Sequence, residues 1–252
     1  MIQKIRVGAV SYLNTKPLIF GFEQGKMEDR LELIIDYPAN IASFLINDQV
    51  DVGLVPVAII PKLKEHHIIA DYGIACDGEV ASVCLFSDVP LEEIQSIYLD
   101  YQSRTSVELL KILLREHWKI TPTLITGVQN FENEIKGNTA GLVIGDRAFT
   151  QRLKSKYMYD LGLAWKEMTG MPFVFAAWVS NKKLPEDFIA AFNEANTIGL
   201  TNLDEVILQN PYPDFDMKAY YTQNIKFDLE QGMFAALELF LSKLQRNAEA
   251  IF

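Results

Sequence analysis

The sequence predicts an α/β fold in which two lobes enclose a cleft, and three observations support this prediction. Short apolar segments typical of strands alternate with helical segments over residues 5–87. The pattern restarts after Pro90. A chain of 252 residues is long enough for two modest domains that each bury a core. Because strand–helix–strand units pair in parallel, we expect mixed, mostly parallel sheets joined by a two-strand hinge.

The composition excludes several classes of partner. Hydrophobic residues make up 49% of the chain and charged residues 22%, which is ordinary for a compact globular protein. The formal net charge of −10 disfavours nucleic acid or an anionic membrane surface as the main partner. No apolar segment reaches the ~20 residues of a membrane span, and the first residues lack a leader pattern. We therefore expect a cytoplasmic protein, and the sequence predicts no oligomeric state.

The first strand, residues 5–10, ends in a polar turn that holds Ser11, Tyr12 and Asn14. Pro17 then marks the first turn of a helix, with Asn14 or Thr15 as its cap. Strand ends that lead into helix N-termini collect free amides and commonly bind small anions. The turn is therefore a candidate ligand site. A capped turn without a ligand explains the spacing equally well.

The remaining segments of the first lobe repeat this pattern. We expect strands at residues 31–36, 51–55, 68–75 and 80–87, and a helix at residues 38–48. Pro56 stands where the strand at 51–55 leads into the next helix, so it is expected to face the same cleft. Cys76 and Cys84 lie on apolar segments without metal-ligand spacing and are interpreted as buried hydrophobic residues.

The second lobe contains two further candidate sites. Residues 101–106 are polar and lead into a helix that runs to about residue 118, with capping-box spacing between Thr105 and Glu108. Arg104 offers a planar group suited to a carboxylate, although the spacing by itself favours a plain cap with a solvated arginine. A strand at residues 140–145 ends in Gly145, and Asp146 follows it. Glycine permits a close backbone approach. Asp146 can cap the next helix or hold a ligand hydroxyl, and the spacing favours the cap.

The chain returns to the first lobe through a strand at residues 173–180. Helices at residues 186–199, 202–209, 215–221 and 229–244 follow and are expected to cover that lobe. Lobe 1 then comprises residues 1–87 and 178–252, and lobe 2 comprises residues 88–177. The two crossings, near residues 86–89 and 175–178, form a hinge that can close over a ligand.

Several familiar chemical signatures are missing. The sequence lacks the motifs of nicotinamide, nucleotide, zinc and serine-hydrolase sites, and no histidine has the setting of a metal ligand or base. We therefore expect neither metal nor cofactor. Neutral hydroxyl and amide groups remain, with Arg104, Asp146 and backbone amides, and such a set suits a small polyanion. On these grounds, a two-lobed binding protein and an enzyme on the same scaffold stay equally possible.

Six segments, in this order, resemble the chorismate dehydratases of the futalosine route to menaquinone. They are VGAVSYLNTKPL (7–18), DVGLVP (51–56), CDGEVASV (76–83), SRTSV (103–107), LVIGD (142–146), and DLG (160–162) with WKEMTGMPFVFA (165–176). The resemblance extends to about residue 180 and weakens in the C-terminal helices. It implies a fold like that of type II periplasmic binding proteins, with chorismate enclosed between the lobes.

The resemblance also implies a lyase that converts chorismate to 3-[(1-carboxyvinyl)oxy]benzoate with loss of water. Removing the ring hydroxyl and a neighbouring ring hydrogen creates an aromatic ring, so the reaction is downhill and needs no redox cofactor. Two alternatives stay open. One is the naphthoate-forming enzyme of the same pathway, and the other is a non-catalytic protein that binds small anions.

Carried over residue by residue, the resemblance places Asn14 and Ser82 as catalytic residues at the reacting part of the substrate. A carboxylate of the substrate itself is the expected base, with Asp146 as the alternative. Tyr101 and Gln102 depart from the small hydroxyl residues that relatives often carry. The expected substrate-binding residues are Ser11, Tyr12, Pro56, Ser103, Arg104, Thr105, Ser106, Gly145 and Asp146, with Thr169, Gly170, Pro172 and Phe173 as the far wall.

Overall fold

The computed structural model describes residues 4–249 and contains two sheets with helices packed on them. The strands are β1 (Ile5–Val10), β2 (Leu31–Asp36), β3 (Val52–Pro56), β4 (His67–Cys76), β5 (Val83–Ser87), β6 (Ser96–Leu99), β7 (Thr123–Thr126), β8 (Thr139–Ile144), β9 (Tyr157–Asp160), β10 (Phe173–Ser180) and β11 (Lys226–Asp228). The helices are α1 (Lys16–Glu23), α2 (Pro38–Ile46), α3 (Thr105–Leu113), α4 (Asp146–Arg152), α5 (Leu161–Thr169), α6 (Glu186–Thr201), α7 (Leu203–Gln209), α8 (Met217–Ala219) and α9 (Gln231–Glu249). Within residues 4–249, no helix combines the length and the apolar character that crossing a membrane requires.

The first sheet has six strands in the order β11-β4-β10-β3-β1-β2. Strand β1 pairs in parallel with β2 and β3, as the repeated strand–helix pattern predicts. Every residue of β3 is buried, because helices cover both faces of the sheet centre. This burial explains why β3 is a continuous apolar run without alternation.

The second sheet has five strands in the order β7-β6-β8-β5-β9. Strands β6, β7 and β8 pair in parallel, whereas β5 runs antiparallel to both β8 and β9. Cys84 on β5 lies opposite Val143 and Asp160. Both Cys76 and Cys84 are buried and free, which confirms their interpretation as buried hydrophobic residues.

The prediction of mostly parallel sheets is wrong. Of the nine strand pairs among the described residues, four are parallel and five antiparallel. Four of the five antiparallel pairs arise because the strand after each crossing inserts into a sheet against the direction of its neighbours, and the fifth pairs β11 with β4. Strand β5 enters between β8 and β9, and β10 enters between β3 and β4.

The crossings also lie earlier in the chain than the sequence suggested. Strand β5 belongs to the second sheet and β10 to the first, so the chain crosses at residues 77–82 and again at residues 170–172. The expected crossing near residues 86–89 falls at the end of β5, and the one near residues 175–178 falls inside β10. Apolar periodicity identifies a strand but does not reveal which sheet it joins.

The C-terminal helices pack on the first sheet and also reach the second. Helix α6 lies so close to α1 that a Cβ on Gly199 would stand 1.9 Å from the Pro17 carbonyl oxygen. The helix expected at residues 215–221 is instead the short α8 followed by a π-helical turn, Tyr220–Asn224. Phe215 stacks on Phe149 of α4 with ring centroids 4.1 Å apart. This segment therefore contacts both lobes.

Candidate active site

A cleft between the two sheets has about 560 Å³ of space that protein atoms do not fill, its open mouth included. The polar residues that line it come from three separate segments, and the rest of the lining is mostly apolar. The polar lining consists of Tyr12, Asn14, Thr15, Ser82, Ser103, Thr105 and Ser106. The other lining residues are Val10, Pro38, Leu54, Pro56, Ile74, Val80, Val83, Ile144, Gly145, Phe175 and Ala176.

The turn after β1 places Asn14 in the cleft. The chain leaves β1 at Val10, and a single 3-10 turn, Leu13–Thr15, leads into α1. Neither Asn14 nor Thr15 makes the side-chain cap expected for this helix. Pro17 explains the difference, because it lies in the first turn of α1 and has no N–H to be capped. The half-buried Asn14 side chain is thus turned toward the cleft.

Ser82 lies on the first crossing and faces Asn14 across the same cavity. Ala81 has a φ of 63°, and this turn brings the fully buried Ser82 to the cleft wall just before β5 begins. The Ser82 carbonyl accepts a hydrogen bond of 2.9 Å from the amide of Gly145. Its side-chain Oγ accepts one of 2.7 Å from the hydroxyl of Tyr220.

Tyr220 is a buried residue at the site that no local sequence signal identifies. Burial raises the pKa of its hydroxyl far above the ordinary value, although hydrogen bonding with Ser82 and Asn14 acts to lower it. The hydroxyl therefore remains protonated and acts as a donor. Tyr220 stands 138 positions from Ser82, and no local pattern connects two such distant segments.

The start of α3 provides hydroxyl groups and amides from the second lobe. The Ser103 Oγ accepts a hydrogen bond of 3.1 Å from the amide of Ser106. The Thr105 Oγ1 accepts one of 3.2 Å from the amide of Ala58, in the other lobe. Thr105 thus joins the lobes across the cleft and does not form the expected capping box. Both hydroxyl groups line the cavity at a helix N-terminus, where the helix dipole favours an anion.

At Gly145 the backbone of the second lobe comes close to the Tyr12 ring. The φ of Gly145 is 65°, and a Cβ at this position would lie 2.9 Å from the Tyr12 ring. The next residue, Asp146, accepts a hydrogen bond of 3.1 Å from the amide of Leu13 in the opposite lobe. Burial raises the pKa of Asp146 to about 6, although the Leu13 amide and nearby cations oppose this.

Tyr12 separates the cavity from an outer pocket that Ser11, Gln102 and Asp146 help to line. The Tyr12 hydroxyl donates to the side-chain oxygen of Gln102, which also accepts a hydrogen bond of 2.8 Å from Arg147. Gln102, one of the two residues that depart from the pattern implied by the resemblance, thus contacts both Tyr12 and Arg147.

An ion pair between the buried Asp100 and the partly exposed Arg147 supports the second-lobe side of the site. Arg147 donates to both carboxylate oxygens of Asp100, at 2.8 and 2.6 Å. The same carboxylate accepts hydrogen bonds from the amides of Gln102 and Ile144, at 2.9 and 3.0 Å. Burial raises the pKa of Asp100 despite the guanidinium. The pair therefore holds the segments before α3 and before α4 in place.

The structure brings together only some of the residues expected from the sequence. Asn14, Ser82, Tyr12, Pro56, Ser103, Thr105, Ser106 and Gly145 line the cavity. Ser11 and Asp146 line the outer pocket instead. Arg104 is exposed and its guanidinium donates to the Ser103 carbonyl oxygen at 3.1 Å, so it is not part of the cavity wall.

The expected far wall is also placed differently. The Thr169 hydroxyl donates to the Trp165 carbonyl oxygen, and the Pro172 carbonyl accepts from the Trp165 indole. Gly170 is exposed, and Phe173 is buried against Trp165 and Phe240. These residues belong to the end of α5 and the core beside it. Further along β10, Phe175 and Ala176 form this wall of the cavity.

Comparison with known proteins identifies the family. A family model described as "Menaquinone biosynthesis" matches residues 5–246. The chain belongs to this menaquinone biosynthesis family. Among curated relatives, it is 28% identical over 194 residues to a chorismate dehydratase of Thermus thermophilus, covering 67% of this chain and 69% of that protein. It is 26% identical over 230 residues to a chorismate dehydratase of Campylobacter jejuni, and the match covers 86% of this chain and 87% of that protein.

Solved structures establish the fold of this menaquinone biosynthesis family member. A protein from Archaeoglobus fulgidus matches with a TM-score of 0.77 at 16% identity, covering 99% of this chain and 98% of that one. The aliphatic sulphonate binding protein of Escherichia coli matches with a TM-score of 0.63 at 12% identity, covering 98% and 94%. A Candida albicans protein described as having the generic periplasmic binding protein fold also scores 0.63, at 13% identity, covering 97% and 90%. The predicted two-lobed, periplasmic-binding-protein-like fold is therefore confirmed.

Proposed function

We propose that this protein is a chorismate dehydratase, which converts chorismate to 3-[(1-carboxyvinyl)oxy]benzoate and water. The observation that carries the proposal is that Asn14 and Ser82, which lie on different segments of the chain, line the same cavity between the lobes. Membership of the menaquinone biosynthesis family supports it, as do two relatives named chorismate dehydratase.

The lining of the cavity suits a ring acid with two carboxylates. One carboxylate is placed at the start of α3, where Ser103, Thr105 and Ser106 offer hydroxyl groups beside the positive end of the helix dipole. The ring is placed against the apolar wall that Leu54 and Phe175 provide. In this pose the start of α3 holds the negative charge of the substrate carboxylate. A local site of this kind is needed because the protein itself has a formal net charge of −10.

The reaction itself requires orientation, a base and stabilisation of the departing oxygen. Asn14 and Ser82 hold the ring hydroxyl and the enolpyruvyl group in the geometry from which water is lost. A carboxylate of the substrate takes the ring proton, since the cavity lining contains no acidic side chain. Asp146 is the alternative base, although it lies in the outer pocket and is hydrogen-bonded to Leu13.

The proposal is tested by incubating the purified protein with chorismate and analysing the products by mass spectrometry and proton NMR. We expect a product lighter than chorismate by one water, with the signals of a meta-substituted aromatic ring. Chorismate that is recovered unchanged would contradict the proposed function. Saturable binding without turnover would indicate instead a protein that binds small anions.

A further inference from the structure

Tyr220 occupies an unusual position behind the proposed active site. Its side chain is fully buried, and its hydroxyl donates a hydrogen bond of 2.7 Å to the Oγ of Ser82. A single phenol group from the C-terminal segment therefore bonds directly to a proposed catalytic residue, although it does not line the cavity itself.

The direction of this hydrogen bond determines what Ser82 can do. A serine hydroxyl has one proton to donate, and its oxygen accepts through its lone pairs. Because the Ser82 Oγ already accepts the proton of Tyr220, the hydroxyl proton of Ser82 must point elsewhere. The cavity is the space that Ser82 faces, and the described residues offer its hydroxyl no protein acceptor.

We propose that Tyr220 is a positioning residue that turns the hydroxyl of Ser82 into a hydrogen-bond donor toward the leaving hydroxyl of the substrate. This inference rests on the proposed function. Tyr220 acts through Ser82 and does not touch the substrate. It makes Ser82 a donor to developing negative charge.

The atoms and electrons of the elimination balance without a proton from Ser82 or Tyr220. The ring C–H bond breaks, its proton passes to a substrate carboxylate, and its electron pair forms the new ring double bond. The C–O bond to the ring hydroxyl breaks, and that electron pair leaves with the oxygen. The departing hydroxide takes the proton from the carboxylate and becomes water. The hydrogen bond from Ser82 stabilises the oxygen while its charge develops.

The surroundings of Tyr220 hold its hydroxyl in this orientation. Its ring packs edge-on against Phe149 of the second lobe, with centroids 5.0 Å apart. Its amide donates to the Asp216 carbonyl oxygen at 2.9 Å, and the π-helical turn begins at Tyr220 itself. Such turns within helices frequently occur at functional sites. The phenol is therefore fixed by packing, and a change from tyrosine to phenylalanine removes the donor with little other disturbance.

The test compares the kinetics of Tyr220→Phe and Ser82→Ala, singly and together, with those of the wild type. We expect Tyr220→Phe to lower kcat about tenfold or more while KM changes less than about threefold, because the lost interaction acts in the transition state. In the Ser82→Ala background, Tyr220→Phe should have no further effect on kcat. Tyr72→Phe is the matched control, since its hydroxyl bonds to Thr197 at 3.0 Å, away from the cavity.

The outcomes separate this inference from the proposed function. An active wild type with an equally active Tyr220→Phe variant overturns the inference and leaves the function standing. If Tyr220→Phe lowers kcat equally in the wild type and in the Ser82→Ala variant, Tyr220 has a purely structural role, and this result also overturns the inference. A wild type that leaves chorismate unchanged overturns both. Should Tyr220→Phe fail to fold, 3-fluorotyrosine at position 220 keeps the ring and strengthens the donor, and an unchanged kcat contradicts the inference.

Discussion

The amide of Leu13 donates a hydrogen bond of 3.1 Å to the carboxylate of Asp146, across the mouth of the cleft. Leu13 lies in the turn after β1, and Asp146 is the first residue of α4. The bond therefore joins the two lobes beside the cavity. Burial raises the pKa of Asp146 from 3.8 to about 6, so this contact depends on pH in a way that can be measured.

We expect Asp146→Asn to stabilise the protein at pH 7.5 and to leave its stability unchanged at pH 4. A carboxyl whose pKa is raised by folding favours the folded state below its unfolded value of 3.8, and this contribution is lost as pH rises through about 6. The difference corresponds to at most roughly 3 kcal/mol. Asparagine retains an oxygen that can accept from Leu13. Urea unfolding at the two pH values measures the effect, and an equal change at both would contradict it.

Gly145→Ala should lower kcat/KM more than the same substitution at Gly170. The new Cβ would lie 2.9 Å from the Tyr12 ring, and the φ of 65° is unfavourable for alanine. We expect kcat/KM to fall at least about tenfold because Tyr12 must move from the cavity wall. The control is Gly170→Ala, whose φ of 73° is similar but whose Cβ would meet no atom within 4 Å. Equal losses of activity in the two variants would show that crowding at Tyr12 is unimportant.

Substitutions at Asp100 and Arg147 should have strongly non-additive effects on the free energy of unfolding. Arg147→Met leaves the Asp100 carboxylate buried without its cation, which we expect to lower the free energy of unfolding by roughly 3–5 kcal/mol. Adding Asp100→Asn removes the buried charge and should recover most of that loss. Denaturant unfolding of the two single variants and the double variant measures the coupling energy. Strictly additive effects would mean that the pair does not act as a unit.

Arg104→Gln tests which groups hold the substrate carboxylate. Arg104 is exposed and outside the cavity, so we expect kcat/KM for chorismate to stay within about threefold of the wild type. Ser106→Ala is the companion variant, because Ser106 lines the cavity at the same helix start. A large rise in KM for Arg104→Gln, but not for Ser106→Ala, would place the carboxylate at the arginine.

Local sequence signals predicted the individual elements better than their assembly. The strand at residues 173–180 matches β10 at both ends, because a run of aromatic and β-branched residues has a clear pattern. Its antiparallel insertion between β3 and β4 was not predicted, since pairing depends on where the chain returns. Strand β11 has only three residues, too few for periodicity to reveal.

For the candidate site too, local signals were informative and contacts between distant segments were not predictable. Asn14 and Gly145 stand at strand ends followed by helices, which is the local signal that made them candidates, and both line the cavity. Tyr220 and the pair of Asp100 with Arg147 reach the site through contacts between distant segments, which no spacing in the sequence records. Phe173 was expected in the wall, but it packs into the core against Trp165, and Phe175 lines the cavity instead.

The most direct test of the account is the rate of ring aromatisation when the protein in excess is mixed rapidly with chorismate. We expect the wild type to convert the bound substrate in a single exponential phase. Asn14→Ala and Ser82→Ala, each shown to be folded by circular dichroism, should be slower by about a hundredfold or more. Aromatisation at the wild-type rate in both variants would contradict the claim that dehydration takes place between these two residues.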